Sequence, residues 1–455
     1  PPARKLREVR MALTLEQTLI DQAKRDKGLD DAAAKQEAKK QIVTRYLNVV
    51  PFGNNAYGIE AAAQTYFGIP AKDLKVQQAA MLAGMVQSSS ALNPYSNAEG
   101  TLTRRNLVLD TMIDNFPPER RAELVAAKET PLGVLPSPRT PTQGCIAADS
   151  EGFFCDYALQ FLAENGMSRN SVLRGGFIIQ TTLDPDVQRA TNRAVKAQAS
   201  PTADGVADVM STIRPGDKSH DVLSMASSRR YGLDLNAGET MQPQPFSMVG
   251  DGAGSVFKIF TVAAAMEKGL GAGSSIPVPG FVAVEGMGNS AGGANGCPVN
   301  AYCVKNDGRY PASLSVSDAL AQSPNTAFVK LLQQVGVKPA VDMAVRLGLR
   351  SYTVPGSSGY GEKSMAQYVK DGNFGSFTLG PLPLNGLELA NVAATIASGG
   401  TWCPPNPIKA ISRVKRDQYG NPVIGPDGQR ALTSVPFNSP GCEQVVDKGL
   451  AETLA

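Results

Sequence analysis

The chain has 455 residues, enough for two or three domains, and its 42% hydrophobic and 19% charged residues mark it as globular rather than disordered. Against 44 Lys and Arg stand 41 Asp and Glu; the formal net charge of +3, with no long basic run, excludes a nucleic-acid binder recognised by charge. No stretch approaches about eighteen consecutive apolar residues, so no segment reads as a membrane span.

From Arg4 to about Glu129 the pattern is helical almost throughout. An amphipathic helix runs from Arg4-Lys5-Leu6-Arg7-Glu8 to Leu19. A second covers Lys39 to Asn48 and is stopped by Pro51 and Gly53. After a loop rich in Gly and Asn come Gly58 to Gly68, a helix over Val76 to Met85, and another from Thr103. On the residues alone this is an all-α region whose charges are solvated faces.

Several motifs recur here in one order: Arg4-Lys5-x-x-Glu8, Lys39-x-x-Ile42-x-x-x-Tyr46-Leu47-Asn48, Phe52-Gly53 with Tyr57-Gly58-Ile59-Glu60-Ala61-Ala62, and Arg104-Arg105. They resemble the later motifs of the peptidoglycan glycosyltransferase domain, the N-terminal half of class A penicillin-binding proteins. The resemblance implies a lysozyme-like, mainly α fragment in which Arg4 and Lys5 face the pyrophosphate of lipid II and Glu8 helps bind it. That family's catalytic general-base motif and its Gly-x-Ser-Thr-x-x-Gln-Gln stretch are not found, so this half is expected not to polymerise glycan as it stands. A divalent metal is compatible with the glycosyltransferase of the parent protein.

Pro131 to Pro141 is a proline-rich, extended linker. It leads into a cysteine loop and a short helix, Phe154 to Asn165. Arg174 to Asp184 then reads as a strand and Pro185 to Ala199 as a helix. The expected division is residues 1–130 for the glycosyltransferase part, 131–173 for the linker and cysteine loop, and 174–455 for a second domain. Asp221 to Ser228 is a strand of that domain. His220 before it reads as a surface residue, and Gly271 to Gly308 as a surface hairpin insertion without chemistry. The helix from Leu387 to Ser398 reads as core packing.

The chemistry of the second domain starts at Gly254-Ser255-Val256-Phe257-Lys258. From Val256 the residues favour a helix that ends at Gly269. Three residues apart, Ser255 and Lys258 share a face. A lysine desolvated beside Phe257 and Phe260 can be neutral and take the serine's proton. Downstream, Ala321-Gln322-Ser323-Pro324-Asn325 sits at a helix junction, with Pro324 keeping Ser323 out of helical geometry. Ser-x-x-Lys followed by Ser-x-Asn is the order of the penicillin-recognising serine enzymes. The third element, a Lys-Thr-Gly strand, is not found before Ala455. The chain therefore reads as an internal segment of a longer protein.

The six cysteines fall into three local pairs, Cys145 with Cys155, Cys297 with Cys303 and Cys403 with Cys442, although other connectivities remain open. With one histidine and no Cys-x-x-Cys, a zinc ligand set is lacking. Disulfides are favoured over buried thiols, hence an oxidising, extracytoplasmic compartment. The cysteine loops and Gly400-Thr401-Trp402-Cys403-Pro404-Pro405 resemble actinobacterial members of the family.

The resemblance implies an α+β transpeptidase domain of the beta-lactamase-like fold with an antiparallel sheet. In it Ser255 is the nucleophile, Lys258 the base, Ser323 a proton relay and Asn325 a substrate ligand. It implies no cofactor for transpeptidation, and beta-lactams as inhibitors. It further implies nascent peptidoglycan as the substrate, other cell-wall synthesis proteins as candidate partners, and an N-terminal membrane anchor upstream. A D,D-carboxypeptidase, a serine beta-lactamase, a penicillin-binding sensor and a non-catalytic scaffold are the alternatives.

Overall fold

The computed structural model describes residues 2–139, 144–250, 252–288, 296–418, 422–437 and 439–455, with the backbone alone for residues 2–8 and Val249. The chain divides into two units, Pro1–Gln143 and Gly144–Ala455.

The first unit is helical. Helices α1 (Pro2–Lys27) and α2 (Asp31–Leu47) pack over Leu19, Ile20, Ala23, Ala34 and Ala38. Helix α2 begins eight residues before the Lys39 that its apolar pattern suggests, because the Asp30 carboxylate accepts the Ala33 N–H at 2.8 Å and nucleates the alanine-rich first turn. Helices α3 (Ile59–Phe67), α4 (Val76–Met85), α5 (Ala98–Asn115) and α6 (Arg121–Lys128) follow. Phe52, Tyr66, Met81, Leu82 and Met85 form a core on which Leu132 and Val134 of the proline-rich segment pack. Arg105 is fully buried, and its guanidinium donates to the carbonyls of Lys128 (2.8 Å), Thr130 (2.7 Å) and Pro131 (3.3 Å). One cation thereby satisfies the open C-terminal end of α6 and fixes the start of the segment that leaves it.

The second unit opens with α7 (Gly152–Glu164), α8 (Arg169–Arg174), strand β1 (Phe177–Thr181) and α9 (Pro185–Gln198). Asp184 ends the extended stretch, and its carboxylate accepts the N–H groups of Asp186 and Val187 to start α9 at Pro185. Strand β2 (Val209–Arg214) pairs antiparallel with β3 (His220–Ser227), and the short strand Pro405–Asn406 runs parallel on the other side of β3. β1 pairs antiparallel with the strand Ile408–Val414, which pairs antiparallel with Leu432–Ser434. Thr182 ties the two sheets: its N–H bonds Pro407 O (3.0 Å) and its hydroxyl bridges the carbonyls of Val222 (2.7 Å) and Asn406 (3.0 Å). From α9, the fully buried Gln188 exchanges two hydrogen bonds of 2.9 Å with the Met225 backbone, like an extra rung of the ladder.

Helices α10 (Lys258–Met266), α11 (Val316–Gln322), α12 (Asn325–Val335), α13 (Val337–Leu347), α14 (Met365–Asp371), α15 (Gly386–Ala397) and α16 (Lys448–Leu454) build the main core of this unit. Two readings change here. The strands Phe281–Glu285 and Ala301–Lys305 do form a hairpin, but Val282, Val284, Tyr302 and Val304 belong to the core, so it is no surface insertion. His220 is fully buried, with Nδ1 2.7 Å from Asn391 Oδ1 and Nε2 3.1 Å from Ser398 Oγ; burial lowers its pKa.

All six cysteines are paired as Cys145–Cys155, Cys297–Cys303 and Cys403–Cys442, which fits an extracytoplasmic compartment. No helix among the described residues is long and apolar enough to cross a membrane. Cys297–Cys303 spans 6 residues, whereas Cys403–Cys442 spans 39 and encloses two paired strands. Loop-closure entropy then gives about 4 kcal/mol for Cys403–Cys442 and about 2 kcal/mol for Cys297–Cys303. Replacing Cys403 and Cys442 by alanine is expected to lower the denaturation midpoint more than the same change at Cys297 and Cys303; the reverse order would contradict the entropic account.

Candidate active site

Gly254–Phe257 forms a 3-10 turn that runs directly into α10. Residues i and i+3 eclipse in such a turn, which aligns Ser255 with Lys258 one turn on. Ser255 is exposed, whereas Lys258 is 1% exposed. The inward residue of the turn is Phe257, whose ring meets Phe260 (5.2 Å) and Phe377 (5.4 Å) edge to face.

The turn is seated on backbone. Gly254 N–H donates to Gly380 O at 3.0 Å. A Cβ on Gly380 would lie 2.2 Å from Gly254 O, and one on Gly252 would lie 2.1 Å from Gly380 O. Beside this contact the buried Thr261 hydroxyl donates to Thr378 Oγ1 at 2.8 Å. These contacts join the Ser255 turn to the 3-10 turn Gly375–Leu379. The contact between these glycines involves no side chain, so the sequence does not show that they meet.

Helix α11 ends at Ser323, whose N–H still reaches Ala319 O at 2.7 Å. Ser323 has φ +58° and ψ +40°, a left-handed conformation uncommon outside glycine. Pro324 does keep Ser323 out of the helix, but the retained hydrogen bond draws it into the left-handed region instead of the extended one usual before proline. Asn325 is then the first residue of α12.

This bend directs three oxygens at one amine. Lys258 Nζ donates to Ser323 O (2.7 Å), Ser323 Oγ (2.7 Å) and Asn325 Oδ1 (2.9 Å), and lies 5.2 Å from the centroid of the Phe328 ring. Burial pushes the lysine down to about 8 from its usual 10.5. The structure thus brings Lys258, Ser323 and Asn325 into one hydrogen-bonded group, with Ser255 one turn away. A half-buried carboxyl elsewhere in the unit, Glu388, accepts from Ser351 N (2.8 Å) and Oγ (2.6 Å), and desolvation raises it to about 7. The reading of its helix as plain packing did not foresee this.

In the first unit, Arg4, Lys5 and Glu8 lie on α1, with Arg4 and Glu8 one turn apart on one face. Their side chains lie outside the described residues. Among the described residues no group of His, Cys, Asp and Glu side chains gathers as a metal ligand set.

Residues 2–113 match the transglycosylase family, and residues 217–435 match the penicillin binding protein transpeptidase domain. The chain belongs to the class A penicillin-binding proteins. Penicillin-binding protein 1A of Mycobacterium tuberculosis is 28% identical over 381 residues, 82% of this chain and 42% of that protein. Its counterpart in Mycolicibacterium smegmatis is 28% identical over 386 residues, 82% of this chain and 44% of that protein. The chain spans less than half the length of these curated relatives. The crystal structure of penicillin-binding protein 1A from Haemophilus influenzae aligns with a TM-score of 0.53 at 18% identity, over 91% of this chain and 72% of that one, and so shares the fold. As a class A penicillin-binding protein, the chain has a mainly α glycosyltransferase part followed by an α+β transpeptidase domain with antiparallel sheets.

The backbone seat yields a test. Gly380→Ala places a methyl group against Gly254 O at a residue with φ +64°, so it should cost about 2–4 kcal/mol and move the Ser255 turn. Denaturant unfolding of Gly380→Ala would show it; an unchanged midpoint would mean the two turns are not rigidly joined.

Proposed function

We propose that the second unit is an acyl-serine D,D-transpeptidase acting on peptidoglycan stem peptides, within a protein whose first unit derives from a lipid II polymerase. The observation that supports it is the desolvated Lys258 amine held by Ser323 and Asn325, one turn from the exposed Ser255. In this reading Ser255 Oγ attacks the carbonyl carbon between two D-alanines and its proton passes to the Lys258 amine. The C–N bond then breaks, and Ser323 relays a proton to the departing D-alanine amine. The Ser255 N–H supplies half of an oxyanion hole, and Asn325 bonds the substrate amide. An amine of a neighbouring stem attacks the ester, forms the new amide and returns the proton to Ser255. Water in place of that amine would make the enzyme a carboxypeptidase.

Beta-lactams would acylate Ser255 as analogues of the D-Ala-D-Ala end. In the first unit Arg4 and Lys5 would meet the pyrophosphate of lipid II, and Glu8 would help bind or activate that substrate. No residue is assigned to a divalent metal of the glycosyltransferase. An N-terminal anchor and contacts with other cell-wall synthesis proteins complete the proposal.

A lysine that titrates near 8 has about a tenth of its population neutral at pH 7, against less than about a thousandth for an ordinary lysine. Raising pH deprotonates it and increases the base form. The acylation rate should therefore climb through about pH 8 and level off above it. Labelling with a fluorescent penicillin across pH, on the full-length protein, measures this. Ser255→Ala should abolish labelling and Lys258→Ala should slow it at least about 100-fold. If the folded protein stays unlabelled, the transpeptidase reading gives way to a scaffold; if it labels without forming cross-links, to a sensor.

A further inference from the structure

The first N–H groups of a helix need acceptors, normally supplied by the side chain of the N-cap residue. Helix α12 has none there: its N-cap is Pro324, and no side-chain cap bond is made from that position. The acceptor comes instead from Asn306, twenty residues upstream, just past the buried strand Ala301–Lys305. Asn306 Oδ1 accepts the Thr326 N–H at 2.9 Å, and Asn306 Nδ2 donates to Thr326 Oγ1 at 2.8 Å and to Pro279 O at 3.4 Å. Thr326 is fully buried, so water cannot take over either bond.

Thr326 is covalently next to Asn325, whose Oδ1 is one of the three oxygens around Lys258. Asn306 itself stands on the core hairpin. That hairpin is cross-linked by Cys297–Cys303, and its strands pack against α12.

We infer that Asn306 is a positioning residue of the acylation site: it replaces the N-cap that Pro324 cannot provide, and so holds Asn325 and the Ser323 bend in register with Lys258. Asn306 makes its bonds to Thr326 and Pro279, not to the reacting group; it acts through α12. The inference rests on the acyl-serine reading and adds a link between the hairpin and the base. Without the clamp, the first turn of α12 frays, the oxygens spread around Nζ and water reaches the amine. Acylation then slows and its pH midpoint rises from about 8 toward that of a solvated lysine.

The test follows fluorescent-penicillin acylation of the full-length protein as a function of concentration and pH, with thermal unfolding in parallel. For Asn306→Ala the limiting acylation rate should fall about 10-fold or more, with the half-saturating concentration changed less than about 3-fold, and the pH midpoint should move up. Thr326→Val removes the hydroxyl and should shift rate and midpoint in the same direction, while Thr326→Ser should restore both. A purely structural role would lower the melting temperature and the labelled fraction but leave rate and midpoint unchanged, and that result overturns the inference. If Asn306→Ala does not fold, the Thr326 pair decides: equal rates for Val and Ser overturn it. Failure of the unmodified protein to label at Ser255 would bring down the acyl-serine reading and this inference together; normal rates in the variants would bring down this one alone.

Discussion

A buried lysine amine beside an aromatic ring is the constraint around which the second unit is arranged. An ammonium removed from water is costly unless hydrogen bonds replace its hydration. Here the replacements are three oxygens, all drawn from the three-residue span Ser323–Asn325. The helix that carries Lys258 and the junction that carries its partners are therefore fixed to each other. Phe257, Phe260 and Phe377 fill the inner side of the Ser255 turn, while Phe328 lies 5.2 Å from the amine that burial depresses. Backbone contacts seat the same turn, and a Cβ at Gly252 or Gly380 would collide with them.

The first unit solves a different problem. Its hydrophobic cores are small, and the proline-rich segment after α6 has no regular secondary structure to hold it. Arg105 fixes the start of that segment by placing one guanidinium against the carbonyls of Lys128, Thr130 and Pro131. Leu132 and Val134 then cover the core beneath. A charged residue can be fully buried in this role because the carbonyls at a helix end already present negative partial charge.

What was legible in the amino-acid sequence was local. Val76–Met85 and the Asp184-Pro185 helix start follow from patterns within a few residues, and so do the serine–lysine turn and the bend at Ser323. What was not legible depends on partners far away in the chain. Asn391 receives His220 from 171 residues off, so a polar turn ahead of His220 suggested a surface position while the fold buried it. The hairpin at Phe281–Glu285 alternates exposed and buried residues, a readable strand pattern, but its glycine-rich surroundings pointed to an insertion. The contact of Gly252 and Gly254 with Gly380 involves no side chain, so it leaves no mark in sequence until the chain has folded. The two catalytic-type motifs were visible singly; that one lysine would join them was implied by family resemblance and became concrete only as distances.

The left-handed geometry of Ser323 narrows what evolution can write at that position. Glycine, asparagine and aspartate enter that backbone region readily, but none has a hydroxyl to set beside the amine. Threonine has the hydroxyl, yet its β-branch is strained there. Serine is where the two requirements overlap. A lineage under pressure to change the surroundings of this amine has little room at residue 323, and its successful variants must lie at neighbouring positions, where a side chain can change without bending the backbone.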